Sequence, residues 1–196
     1  RYSDGIEFPE PQAVSLTHQG DRDAALLQYY WKTNDDEDAQ QSYTLQLLQG
    51  VMELRLRGEL REAMGAAYSP YAFNMNSSTI DGYGYIGLSS SLKVDDVKLA
   101  ENVYQDIVKD LKVKGNISDD ELLRARKPIL EGMNSAEHTN GLWFDLTSQA
   151  VSYPQGLQRY RNYTRLLKQI TPQDLVAAAS TILVPEHKVT LTILPE

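Results

Sequence analysis

Leu60-Arg61-Glu62-Ala63-Met64-Gly65-Ala66-Ala67-Tyr68-Ser69-Pro70 is where a long helical pattern stops and an extended one begins. Upstream, from Asp36 to about Arg61, apolar residues recur about one turn apart at Leu45, Leu48, Met52, Leu56 and Leu60, the spacing of a helix with one buried stripe. Downstream, Tyr71, Phe73 and Met75 alternate with small or polar residues, the period of a strand. Gly65 sits where a helix commonly ends on a left-handed residue. Arg61 and Tyr68 flank this turn, so both can reach one region above the end of a sheet.

Before the helix, residues 1 to about 12 hold Gly5, Pro9 and Pro11 among polar residues and read as a linker or arm. Ala13 to Thr17 forms a first strand, Gly20 to Asp23 a turn, and Ala24 to Lys32 a second strand. The acidic run Asn34-Asp35-Asp36-Glu37-Asp38 has two readings, a metal loop or a helix cap; the cap is favoured, because carboxylates suit the positive end of a helix. Gly50 and Gly58 inside the helix each cost about 1 kcal/mol relative to Ala, which close packing against a neighbour would explain.

After the turn, strands are expected over about Ala67 to Ser78 and Thr79 to Ser91, broken near Asp81-Gly82. They form an antiparallel pair with one face buried, and the Ser and Asn residues on the other phase mark a wet or ligand-facing side. Gly82-Tyr83-Gly84-Tyr85-Ile86-Gly87 lies in this strand pattern and precedes no helix, so it is a bend or close backbone approach and not a phosphate cradle. A helix follows from Asp95 and ends by Gly115. Ser118 and Glu121 form a capping box for another, in which Pro128 predicts a kink or restart. Helical spacing recurs at Asn140 to Val151, Gln155 to Lys168, and from Thr171-Pro172 to about Leu183. Val189 to Ile193 is a last strand. Strands and helices do not alternate, so the expected fold is α+β: a two-layer sandwich of a mainly antiparallel sheet with helices on one face, a single domain over residues 13 to 196.

The 196 residues carry a formal charge of -8, no cysteine and 41% hydrophobic residues. That balance argues against nucleic acid and anionic membranes and excludes disulfide and thiolate chemistry. No apolar run reaches the roughly 18 residues of a membrane span. The chain opens on Arg1 without a signal-peptide core, which reads as a piece excised from a larger chain.

Leu-Arg-Glu at 60 to 62, Gly65 and Ala-Tyr-Ser at 67 to 69 resemble the second half of a pitrilysin-type zinc peptidase, an inverzincin of the group that includes insulin-degrading enzyme and the mitochondrial processing peptidase. The resemblance spans most of the chain. It also draws on Asn140-Gly141-Leu142-Trp143, on Ile170 to Leu175 opening a late helix, and on the final strand Val189 to Leu194 ending in Pro195; the order and spacing of these pieces carry it. It implies the half-domain fold of that family and a clamshell in which this half faces a zinc-bearing half, on the same chain or a second subunit. Zinc is then expected in the intact enzyme, bound by the other half, with a peptide as substrate. The His-x-x-Glu-His motif that holds zinc and polarises its water is missing here. His18, His138 and His187 are the three histidines, no two of them four apart. Asn134-Ser135-Ala136-Glu137-His138 imitates half of the motif without its first ligand, so Glu137 and His138 are read as a solvated helix face.

No Ser-His-Asp or Cys-His arrangement is visible, which leaves Arg61 and Tyr68. From the residues alone they complement a helix dipole and start a strand. The resemblance implies that they face zinc and substrate, Arg61 donating to peptide carbonyls and Tyr68 to the oxygen that gains charge. Trp143 and Tyr160 are expected in the core or at an interface, Trp143 packing the two halves together. The functional expectation is the substrate-binding, non-zinc half of a zinc metalloendopeptidase with an enclosed chamber, inactive alone; the alternative is a structural or recognition module in an inactive homologue. The resemblance and the lack of Cys point to a periplasmic setting, with a cytoplasmic one as the alternative, because a chain without Cys suits either.

Overall fold

The computed structural model describes residues 5–20, 23–64 and 69–196. Gly65 and Tyr68 therefore lie outside the described residues. Among the described residues, β1 (Gln12–His18), β2 (Ala25–Thr33), α1 (Ala39–Met64), β3 (Tyr71–Asn76), β4 (Gly84–Leu92), α2 (Val97–Leu111), α3 (Asp119–Ala136), α4 (Asn140–Ser148), α5 (Gly156–Gln169), α6 (Pro172–Ile182) and β5 (Lys188–Pro195) follow one another. The strands form one sheet in the order β1-β5-β2-β4-β3. β1 runs parallel to β5; every other pairing is antiparallel. The helices pack on one face, which is the expected α+β sandwich.

α1 is the hub of the helical layer. Leu45, Leu48, Met52, Leu56 and Leu60 are all buried, as their spacing requires. α1 lies against β3 and β4 on one side and against α2, α3, α5 and α6 on others. Gly50 makes the crossing with α3 possible: a Cβ there would lie 2.9 Å from the Ala125 Cβ. Gly58 is different, because nothing lies within 4 Å of a Cβ at that position. Gln49 Nε2 donates to the Ala72 carbonyl at 3.0 Å, tying α1 to the edge strand β3.

The acidic run before α1 divides its work. Asp38 caps the helix, its Oδ1 accepting from Gln41 N at 3.1 Å. Asp35 Oδ2 instead accepts from Gly82 N at 2.7 Å, and Asp36 Oδ2 accepts from the Tyr153 hydroxyl at 2.5 Å. The carboxylates thus fasten the β3–β4 connection and the helical layer as well as the helix start. That connection corrects the expected strand from Thr79. Ser77 Oγ accepts from Thr79 N and Ile80 N, and Gly82 takes φ +64°, so 77–83 turn and β4 begins only at Gly84.

Both capping boxes form, at Ser118/Glu121 and Thr171/Asp174. α3 does not restart at Pro128 but runs through it as one helix. Pro128 and Arg124 are both exposed, so the Arg124 carbonyl that loses its N–H partner faces solvent.

The phase of β3 is the reverse of the expected one. Ala72 and Asn74 pair with the buried Leu88 and Ile86 on the helix-covered face, while Tyr71, Phe73 and Met75 lie on the face that no described helix covers. The serines of β4 are not wet either. Ser89 and Ser90 are fully buried; Ser90 Oγ accepts from the Tyr104 hydroxyl at 2.7 Å and Ser89 Oγ from Gln28 Nε2 at 3.0 Å.

Candidate functional site

Leu60, buried at the end of the α1 stripe, fixes the last turn of the helix. Arg61, one residue on, is turned off that stripe and is exposed. No hydrogen bond or ion pair joins it to another described residue. Among the described residues the guanidinium at the last turn of α1 thus has no partner, and its five donors suit carbonyl or carboxylate oxygens. Tyr68, its expected companion, falls outside the described residues, so the two are not brought together by what is described.

The chain resumes at Ser69, and Tyr71 opens β3 with 45% exposure. From there an aromatic patch spreads over the uncovered sheet face. The Tyr71 and Phe73 rings lie 5.9 Å apart, Phe73 and Tyr30 5.0 Å, Tyr30 and Tyr85 5.8 Å, and Tyr83 and Tyr85 6.3 Å. Gly87 makes the patch flat, since a Cβ there would run into the Phe73 ring and the Tyr29 carbonyl. Burial raises the Tyr30 hydroxyl above its ordinary value, so it stays protonated at neutral pH. The period-two aromatics at 71, 73, 83 and 85 announced this patch; sequence reading set Tyr71 and Phe73 opposite the wet phase and took Tyr83 and Tyr85 only as part of a bend or close backbone approach.

The other candidates have structural partners. Glu137 ends α3, its carbonyl accepting from Trp143 Nε1 at 3.1 Å and its carboxylate from the Tyr163 hydroxyl at 3.3 Å. His138 is exposed. His18 closes the β1–β2 turn, with Nε2 2.8 Å from the Ala24 carbonyl and Nδ1 accepting from Gly20 N at 2.9 Å. Trp143 stacks edge-on against Tyr160 at 5.5 Å but remains 45% exposed, and α4 buries no residue, so it is not a core tryptophan. Among the described residues no three His, Cys, Asp or Glu side chains come together in a group that could hold a metal ion. The described residues therefore offer no ligand set for a zinc ion.

One cluster had no local signal in the sequence. Arg55 of α1, largely buried, spans to Asp110 at the end of α2 (2.5 Å) and Glu121 at the start of α3 (2.8 Å), and donates to the Asn116 carbonyl (2.7 Å). Burial alone would raise the Glu121 carboxyl, but hydrogen bonds from Arg55 and Ser118 outweigh it and hold the group below its ordinary value. The cluster is a clasp between three helices, in which Nε, Nη1 and Nη2 of Arg55 each donate.

No curated protein matches the chain. Solved structures do. A peptidase M16 inactive domain from Pseudomonas fluorescens superposes with a TM-score of 0.79 at 16% identity, over 96% of this chain and 44% of that one. The periplasmic protease PqqL from Escherichia coli gives 0.71 at 17%, over 95% and 21%. The inactive peptidase domain of a Bordetella parapertussis protein gives 0.74 at 17%, over 91% and 97%. At these identities the likeness establishes the fold. The sequence profile described as "Peptidase M16 inactive domain" matches residues 4–129, more than half of the chain. The half-domain fold, with a helical hub leading into an edge strand, is thus that of the family the profile defines, and the chain belongs to the M16 peptidase inactive domains.

Proposed function

We propose that this chain is the non-zinc half of a zinc metalloendopeptidase, forming one wall of an enclosed chamber and holding the substrate peptide against a zinc site on a complementary half. The observation that carries the reading is Arg61, an exposed guanidinium without a partner among the described residues, at the end of the helix that the whole helical layer fixes in place. A planar fork at such a point can donate to two backbone carbonyls of an extended peptide. Tyr68, seven residues on, would donate to the oxygen that gains charge in the tetrahedral intermediate. Zinc would come with the complementary half, on the same chain or a second subunit. The chain spans 44% of the length of the Pseudomonas structure, which leaves room there for another domain of similar size. The periplasmic setting of PqqL and the absence of Cys support a periplasmic location.

The test is reconstitution. The purified chain is expected to hydrolyse no fluorogenic peptide, and activity is expected when a zinc-bearing half with His-x-x-Glu-His, from the same gene or an adjacent one, is added. Peptide hydrolysis by the chain alone that a chelator stops would overturn the reading. A reconstituted pair that binds peptide without cleaving it would favour the recognition module instead.

A further inference from the structure

A cavity of about 440 Å³ lies between the end of α2, the turn after α6 and the start of β5. It stands at the end of the sheet where β2 ends and β5 begins, and neither Arg61 nor any other residue of α1 lines it. The inference is thus independent of the proposed peptidase role.

The inner wall is apolar: the Tyr29 and Trp31 rings of β2, then Val108, Leu183 and Pro185. The mouth is cationic. Lys109 and Lys112 come from α2 and Lys188 from β5, with the Gln105 amide beside them. In a chain of 27 acidic and 19 basic residues, three ammonium groups here share one concavity, and among the described residues no carboxylate forms an ion pair with any of them. The carboxylate whose charge reaches Lys188 is Glu101, and Lys98 already holds it at 2.9 Å. The dipole of α2 accounts for Lys109 and Lys112 at its C-terminal end. It does not account for Lys188, which belongs to another element. Lys188 Nζ sits 4.3 Å above the Tyr29 ring, half-buried, and burial pulls its pKa below the ordinary value. Among the described residues no carboxylate is in ion-pair contact with it.

We propose that this cavity binds a carboxylate carried on an apolar body. The volume falls in the range of small-molecule sites, and an apolar wall with a few convergent polar groups is their usual lining. A dense dianion such as phosphate fits less well. No arginine lines the cavity, and the helix ends that border it are C-terminal, so backbone carbonyls and not N–H groups point toward it. Two sources present the required chemistry, a free fatty acid and the C-terminus of a peptide ending in a large apolar residue.

The experiment is thermal denaturation of the chain with octanoate, octanol, inorganic phosphate, N-acetyl-Phe-Leu as free acid and the same dipeptide as amide. Octanoate or the free acid, or both, is expected to raise Tm, and which of them does so identifies the source; octanol, phosphate and the amide are expected to leave it unchanged. Lys188→Met, which removes a half-buried charge with no ion-pair partner among the described residues, is expected to raise the ligand-free Tm by about 2 °C while abolishing the carboxylate response. Lys188→Arg is expected to keep part of that response. The proposal fails if no carboxylate shifts Tm, if octanol or phosphate shifts it as much, or if Lys188→Met responds like the parent. The elevated ligand-free Tm of Lys188→Met guards against mistaking misfolding for lost binding.

Discussion

Arg61 and Tyr68 would act at different stages of one reaction, and substitution can separate them. In the reconstituted enzyme, Tyr68→Phe is expected to lower kcat by roughly 10²–10³ with KM little changed, the cost of losing one donor to a developing oxyanion. Arg61→Ala is expected to raise KM mainly, because contacts to a bound backbone operate in ground and transition states alike. Arg61→Lys restores part of the loss, an ammonium being unable to reproduce the fork. Steady-state kinetics with melting curves as a folding control check all three; wild-type kcat in Tyr68→Phe would return that residue to a packing role. Glu121 offers a prediction on stability. Its folded pKa lies below its ordinary value of 4.5, so the unfolded chain takes up the proton more readily. The stability it contributes is complete above about pH 4.5 and is lost as pH falls through the folded value. Glu121→Gln is expected to melt lower than the parent at pH 7 and to show a smaller further loss between about pH 5 and 3. Arg55→Ala, which strips the clasp of its donor, is expected to cost about 2 kcal/mol at neutral pH by denaturant unfolding.

At the scale of elements, α1 carries a paired test of packing against propensity. Gly58→Ala meets no neighbour and is expected to stabilise by about 1 kcal/mol. Gly50→Ala drives a methyl group into Ala125 and is expected to destabilise, with Ala125→Gly in the same chain restoring part of the loss. Equal effects from both glycines in urea melts would remove the close approach from the account. The same elements measure what the sequence discloses. The stripe of α1 and the two capping boxes are local patterns, and each stands where its spacing puts it. β3 was legible as a strand but not in orientation, because a period of two separates the faces of a strand without saying which one the helices cover. Asn74, polar and facing α1, and Phe73, aromatic and facing outward, invert the usual inference. Arg61 was legible as a candidate through family resemblance alone. The Arg55 clasp and the Lys188 cavity were hidden, since Arg55 meets partners 55 and 66 residues away and the cavity joins β2, α2 and β5. Such groupings come from tertiary topology and leave no local spacing to read.

The molecule as a whole is one layer of helices on one sheet, and the Bordetella domain of the same fold is a separate chain that this one covers almost completely. The order of its strands has a bearing on how it comes into being. β5 lies between β1 and β2, so the first of these five strands in sequence has only the last of them as a neighbour. During synthesis β2, α1, β3 and β4 can assemble on contacts that span fewer than 70 residues, while β1 waits, unpaired, for more than 150 residues of chain to follow it. Until β5 arrives, the inner edge of β2 is open as well, with its N–H and C=O groups offered to any extended chain nearby. Two of the five strands therefore join the sheet in a single late event. A chain interrupted before Lys188 forfeits two strands at once, and it leaves exposed the kind of edge that nascent proteins need chaperones to shield.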